Sequence, residues 1–180
     1  LPLPALVPPG HEVSISQPNV LYAANGQVLA KESAPDLRID VPESEIPPIV
    51  DDAVLASEDH GYFQGGPISI RGTLRALLVD VESGAPVEGG STITQQYVKN
   101  VYTNGSRTLI RKFKEAILAG QLSHEYSKAQ ILYKYLSVVY FGDGAYGVGA
   151  AAERYFHLPV SQLDASQAAI LAGVLPAPTA

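Results

Sequence analysis

Cysteine is absent from this 180-residue chain, which excludes disulfides, zinc–thiolate sites and thiol catalysis. Methionine is absent as well and the first residue is Leu1, so the chain reads as a processed product or a piece cut from a longer protein. No apolar run approaches the roughly 18 residues that a membrane span needs, and any anchor is expected upstream of Leu1. A broad basic footprint is also missing: the net charge is −6, which argues against a nucleic-acid partner. What remains, 46% hydrophobic and 17% charged residues, is ordinary for a folded domain of this length.

The charge is unevenly spread. Residues 1–60 hold ten acids against Lys31 and Arg38, whereas residues 99–134 hold seven bases against Glu115 and Glu125. That basic stretch reads either as a solvated helical face or as a local site for an anionic group within an acidic protein.

Residues 1–16 begin LPLPALVPPG and are expected to form an extended, proline-rich arm or linker ahead of a domain spanning 17–180. VLYAANGQVLAKE places Asn25-Gly26 between two alternating runs, which predicts a hairpin with both turn residues at positive φ. A helix is expected from Pro48, with proline tolerated in the first turn. Glycines break the pattern at GYFQGGPISI, a helix is expected to resume near Arg71, and SGAPVEGG is a loop. Ser91 and Thr92 are good caps for a helix over STITQQYVKN, in which Ile93, Tyr97 and Val98 are the residues to bury. The next helix carries Leu109, Ile110, Phe113, Ala116 and Ile117 on its apolar face. Two more start near Ser127, with Ile131, Leu132, Tyr135 and Leu136 apolar, and near Asp164, stopping before Pro176. The fold class is mainly α with one small N-terminal hairpin.

Three groups of residues carry chemistry. On the helix after Gly89-Gly90, Ser91, Gln95 and Lys99 share an edge beside a helix N-terminus that favours anions. Arg107, Arg111 and Glu115 recur every four residues, opposite Phe113. This is a surface ion-pair ladder taken alone, and with Lys99 a set of three cations suited to a phosphate. Glu58-Asp59 falls where a helix gives way to a glycine-rich loop, and a carboxylate there, desolvated by Tyr62 and Phe63, is a candidate general base.

In this order the motifs resemble the peptidoglycan glycosyltransferase domain of class A penicillin-binding proteins and monofunctional transglycosylases, glycosyltransferase family 51. The family's first motif is matched by Glu58, Asp59 and Tyr62, and its second without a gap by GGSTITQQYVKN over 89–100. Arg111, Lys112 and Glu115 match the third. Lys128, Ile131, Leu132, Tyr135 and Leu136 match the fourth, and LDASQAAILAGVLPAP the fifth. Three positions depart from the pattern. Tyr62 stands for a phenylalanine, Gly65 for a histidine that precedes a glycine (here Pro67), and Ser137 for an asparagine.

The resemblance implies a lysozyme-like, two-lobed helical domain, with the C-terminal lobe expected to be cut short. It implies an enzyme that polymerises lipid II at the extracytoplasmic face of a bacterial membrane. The donor is a growing strand on polyprenyl pyrophosphate, and the acceptor is the 4-hydroxyl of the N-acetylglucosamine of lipid II. Carried over by position, Glu58 is the general base and Glu115 the second essential carboxylate. Lys99 and Arg107 hold the pyrophosphate, with Arg111 beside them. Asp59, Ser91, Thr92, Gln95 and Gln96 shape the substrate cleft.

Moenomycin-type phosphoglycolipids are the implied inhibitors. No cofactor is required and no metal ligands are assigned, although Mg2+ or Mn2+ stimulation is known among such enzymes. The loop over 64–90, with Ile68, Ile70, Leu74, Leu77 and Leu78, is expected to be mobile and to border a surface that dips into the bilayer, unless those residues form an ordinary core helix. Two other readings compete: a non-catalytic lipid II-binding module, favoured by the altered first motif, and a lytic enzyme, which has no use for the cation cluster. A β-lactam-binding transpeptidase is excluded for this piece, because no lysine is preceded three residues earlier by serine.

Overall fold

The computed structural model describes residues 20–23, 25, 27–31, 36–68, 91–102 and 109–178. The proline-rich arm, the helix expected after Arg71, the loop residues 69–90 and Arg107 lie outside them. Strands β1 (Val20–Tyr22) and β2 (Val28–Lys31) form the expected antiparallel hairpin. Its turn differs from expectation. The chain instead makes a wider loop, closed where the Ala23 N–H donates to the Gln27 carbonyl at 2.7 Å. The Asn25 side chain accepts from the Gln27 N–H at 3.1 Å, a side-chain turn within the loop.

Six α-helices follow among the described residues. A 3₁₀ turn at Glu43–Glu45 leads to α1 (Pro48–Glu58), whose first residue is the tolerated proline. Helix α2 (Ile93–Tyr102) starts at a capping box. The Gln95 N–H donates to Thr92 Oγ1 at 3.2 Å, and the Thr92 N–H donates back to Gln95 Oε1 at 3.1 Å. Helices α4 (Lys128–Val138) and α6 (Ala165–Val174) start the same way, at Ser127 with Gln130 and at Asp164 with Gln167. Between these lie α3 (Leu109–Glu125) and α5 (Val148–Phe156). Two-residue strands β3 (Leu37–Arg38) and β4 (Ala145–Tyr146) pair in parallel, and elements so short leave no alternation to read in the sequence.

Helix α2 packs against both α3 and α4, and α1 packs against α6. The first half of α2 is therefore enclosed. Thr92, Thr94 and Gln95 are buried alongside Ile93, Tyr97 and Val98, more than the three residues expected from hydropathy. This is allowed because the polar groups are bonded: besides the capping box, Thr92 Oγ1 donates to the Pro67 carbonyl at 2.8 Å. All four apolar residues expected on α4 are buried.

Helix α3 is turned the other way from its apolar reading. Phe113 is 69% exposed, while Leu118, Ala119, Leu122 and Glu115 are buried. The packed face is the one that carries Arg111 and Glu115. A charged residue can lie there because cations compensate it, and the apolar residues that complete the face come later in the helix.

Candidate active site

Glu58 is the last residue of α1, at the carbonyl end of the helix, where a negative charge is opposed by the dipole. A donor from another helix offsets this: Gln96 Nε2 donates to Glu58 Oε2 at 2.7 Å. The other end of the same amide is also held, since the Tyr135 hydroxyl donates to Gln96 Oε1 at 3.1 Å. Burial pushes the Tyr135 phenol far above its ordinary pKa, and the nearby Glu58 charge pushes it further. The phenol is thus a permanent donor.

Asp59 turns away from Glu58's partner toward the start of α2, where its Oδ2 accepts from the Ile93 N–H at 3.3 Å. That N–H belongs to the first helical turn and has no partner within the helix, so Asp59 supplies one and ties the end of α1 to the beginning of α2. Burial raises the Asp59 carboxyl pKa, against the pull of the Ile93 N–H, Lys128 and His60. Tyr62 is buried as expected of a desolvating neighbour, whereas Phe63 is exposed. The Tyr62 hydroxyl, an addition relative to the phenylalanine usual in the motif, donates to the Lys128 carbonyl at 3.1 Å.

The second carboxylate lies on α3. Glu115 is 1% exposed and is paired with Arg111 Nε at 3.2 Å and Lys112 Nζ at 3.5 Å. Burial of a carboxylate is tolerated when its charge is met in this way. Lys112 Nζ also donates to Ser91 Oγ at 3.3 Å, which joins the cluster to the head of α2. The ladder Arg111–Glu115 is therefore an inward-facing group and not a surface one.

The expected site residues fall into three settings. Glu58 and Gln96 are in direct contact, and Lys99, exposed, lies one turn beyond Gln96 on α2. Ser91 joins Arg111 and Glu115 through Lys112. Thr92 and Gln95 bond each other across the helix start, and Asp59 caps that same start. The sequence reading gave no role to Tyr135 or Lys112. Both were matched only as motif positions; for Lys112 the three-residue spacing to Glu115 was a usable signal, whereas Tyr135 was placed on the apolar face of its helix and nothing local marks the partner of its hydroxyl. Among the described residues, no three His, Asp or Glu side chains gather as a metal-holding group. Nor is any helix among them long and apolar enough to cross a membrane.

The sequence profile of a family described as Transglycosylase matches residues 25–180. The chain is 40% identical over 178 residues to penicillin-binding protein 1A of Mycolicibacterium smegmatis, covering 96% of this chain and 23% of that protein. It is 39% identical over 178 residues to penicillin-binding protein 1A of Mycobacterium tuberculosis, covering 96% and 22% respectively. It is 42% identical over 166 residues to penicillin-binding protein 1A/1B of Bacillus subtilis, covering 90% and 18%. The chain thus spans less than a quarter of the length of these relatives.

Proposed function

The chain belongs to the transglycosylase family, whose members are peptidoglycan glycosyltransferases, and from that premise we propose that it polymerises lipid II into glycan strands. Glu58 takes the proton from the 4-hydroxyl of the acceptor N-acetylglucosamine. The freed oxygen attacks the anomeric carbon of the donor sugar, the bond to the polyprenyl pyrophosphate breaks, and the configuration inverts in one displacement. Lys99 and Arg107 neutralise the charge that builds on the departing pyrophosphate, where fixed cations lower the barrier most. Arg111, Lys112 and Glu115 form a rigid second group at the head of α2, with Glu115 assisting near the leaving group. Ser91, Thr92 and Gln95 shape the cleft through the backbone they hold.

The work is done at the extracytoplasmic face of a bacterial membrane. The partners are lipid II, the growing strand and phosphoglycolipids of the moenomycin type. Stimulation by Mg2+ or Mn2+ is assigned to no ligand set of this chain.

The observation that carries the proposal is the bond from Gln96 to Glu58. It seats the proton acceptor against α2, one turn from Lys99, so the base and a cation share one side of that helix. Polymerisation of labelled lipid II by the wild type and by Glu58→Gln tests it. The variant is expected to lose at least ~100-fold, the lower end for removal of a general base. Undiminished polymerisation by the variant removes Glu58 from the mechanism, and cleavage of finished glycan in place of elongation points to a lytic enzyme.

A further inference from the structure

We propose that Tyr135 and Gln96 form a positioning relay, in which a buried phenol on α4 fixes the side-chain amide of Gln96 on α2 so that its NH₂ group grips one oxygen of Glu58 at the end of α1. The inference rests on the proposed role of Glu58 and assigns Gln96 to the enzyme's own base in place of the substrate.

The chemistry of the three groups permits one arrangement. An ionised carboxylate only accepts, so the amide must present its NH₂ to Glu58 and its carbonyl to Tyr135, and the phenol must donate. The distances, 2.7 Å to Glu58 Oε2 and 3.1 Å to the Tyr135 hydroxyl, agree with that order. Flipping the amide would set its carbonyl against the carboxylate and its NH₂ against the phenol. The phenol's raised pKa keeps its proton in place at every working pH.

Tyr135 has no exposed surface and belongs to the buried hydrophobic core. The position of Gln96 is thereby set by packing, and that of Glu58 by Gln96. Oε2 of Glu58 is engaged by the amide, which leaves Oε1 to meet the acceptor hydroxyl. A base at a helix terminus followed at once by a glycine-bearing loop has little else to hold its rotamer, and misplacement by about 1 Å can cost on the order of 100-fold in rate.

Steady-state kinetics on lipid II with Gln96→Leu, Tyr135→Phe and the double variant test the relay. Gln96→Leu should lower kcat by roughly 10- to 100-fold with KM little changed. Tyr135→Phe should lower kcat by roughly 2- to 10-fold, the effect of one hydrogen bond acting at a distance. The double variant should match Gln96→Leu alone, because the phenol acts only through the amide. A rise in KM at constant kcat makes Gln96 a substrate contact and overturns the proposal, and so do additive effects or full activity in Gln96→Leu.

The side-chain amide resonances of Gln96 report the relay without turnover. One Nε2 proton should lie well downfield in the wild type and return toward the free position in Glu58→Ala, with a smaller return in Tyr135→Phe. A downfield proton in a protein that does not polymerise lipid II sinks the glycosyltransferase reading and keeps the relay. Polymerisation with a free-amide signature does the reverse.

Discussion

Lys128 and Tyr62 hold each other reciprocally: the Tyr62 hydroxyl donates to the Lys128 carbonyl at 3.1 Å, and Lys128 Nζ donates to the carbonyls of Tyr62 and Gly65. The ammonium also lies 5.4 Å from the centre of the Tyr62 ring. Helix α4 thereby fastens the loop that follows Glu58 and Asp59.

The clasp predicts two separable effects. Lys128→Met keeps the aliphatic stem but leaves two carbonyls without their donor, and it should cost about 1–3 kcal/mol in urea unfolding. Helix α4 itself should not suffer, since a cation in its first turn opposes the dipole. Tyr62→Phe removes two neutral hydrogen bonds, to the Lys128 carbonyl and with the Thr94 side chain, and should cost about 1–2 kcal/mol. Burial pushes the Tyr62 hydroxyl up to about 12, so the cost of Tyr62→Phe should not change between pH 6 and 9. An unmoved urea midpoint in Lys128→Met would show that the clasp contributes nothing.

Asp51 is expected to make the protein less stable at neutral pH. Its carboxyl is raised from 3.8 to about 6, first by burial and then by repulsion from Asp52 and Glu43. Together with Glu43, Ile46, Phe63, Ala129, Leu132 and Tyr133 it lines a cavity of about 60 Å³. A carboxyl whose folded pKa lies above its unfolded one binds its proton more tightly when folded. Its stabilising contribution is complete below about pH 4 and is lost as pH rises through about 6. Asp51→Asn should therefore gain about 1 kcal/mol at pH 7, after discounting for solvent screening, and nothing at pH 3.5. Urea titrations at the two pH values decide it, and an equal gain at both would place the effect elsewhere.

Local rules read the helix starts well, because a cap is a contest among residues three apart. Thr92, Ser127 and Asp164 each close a box with the glutamine at the third helical position. Helix α3 shows where such rules stop. Periodicity puts Phe113 inward, but Arg111, Lys112 and Glu115 neutralise one another, and this lets their face turn to the core. Hydropathy counts a charge as exposed unless the partner is known, and here Ser91, which extends the group, lies twenty-one residues from Lys112. The same holds for the candidate site. Glu58 stood out because a carboxylate pair fell at a helix end, whereas Tyr135 was read only as a motif and apolar-face residue, because its hydroxyl meets Gln96 thirty-nine residues away.

Two glycines on separate helices should respond oppositely to the same change. A methyl group at Gly149, near the start of α5, would sit 2.6 Å from the Ile39 carbonyl oxygen, a backbone atom that cannot swing aside. Gly149→Ala should lose roughly 1–3 kcal/mol, as overpacking does. Gly120, in the middle of α3, has nothing within 4 Å of such a methyl, so Gly120→Ala should gain about 0.5–1 kcal/mol from helix propensity alone. Urea midpoints of the two variants should lie on either side of the wild type. A tolerated Gly149→Ala would mean that the Ile39 and Val41 segment can move away from α5 without loss.

Lys99 offers the most direct check on where the anion sits. It is exposed on α2, one turn past Gln96, and shares that side of the helix with the grip on Glu58. A moenomycin-type phosphoglycolipid carries the charge of the donor without its reactive bond, so its affinity reports anion binding apart from chemistry. Lys99→Ala removes one charge-assisted contact and should weaken the inhibitor by roughly 10- to 100-fold. Lys99→Arg should recover part of the loss, since charge is kept while geometry changes. The weakening should shrink as ionic strength rises, because an exposed cation is screened over about 8–10 Å at ordinary salt. Glu58→Gln should bind the inhibitor as the wild type does, because it alters the proton acceptor and not the cations. Equal affinity in Lys99→Ala and the wild type at low salt would place the pyrophosphate on another face, and the displacement proposed above would then lose its leaving-group support.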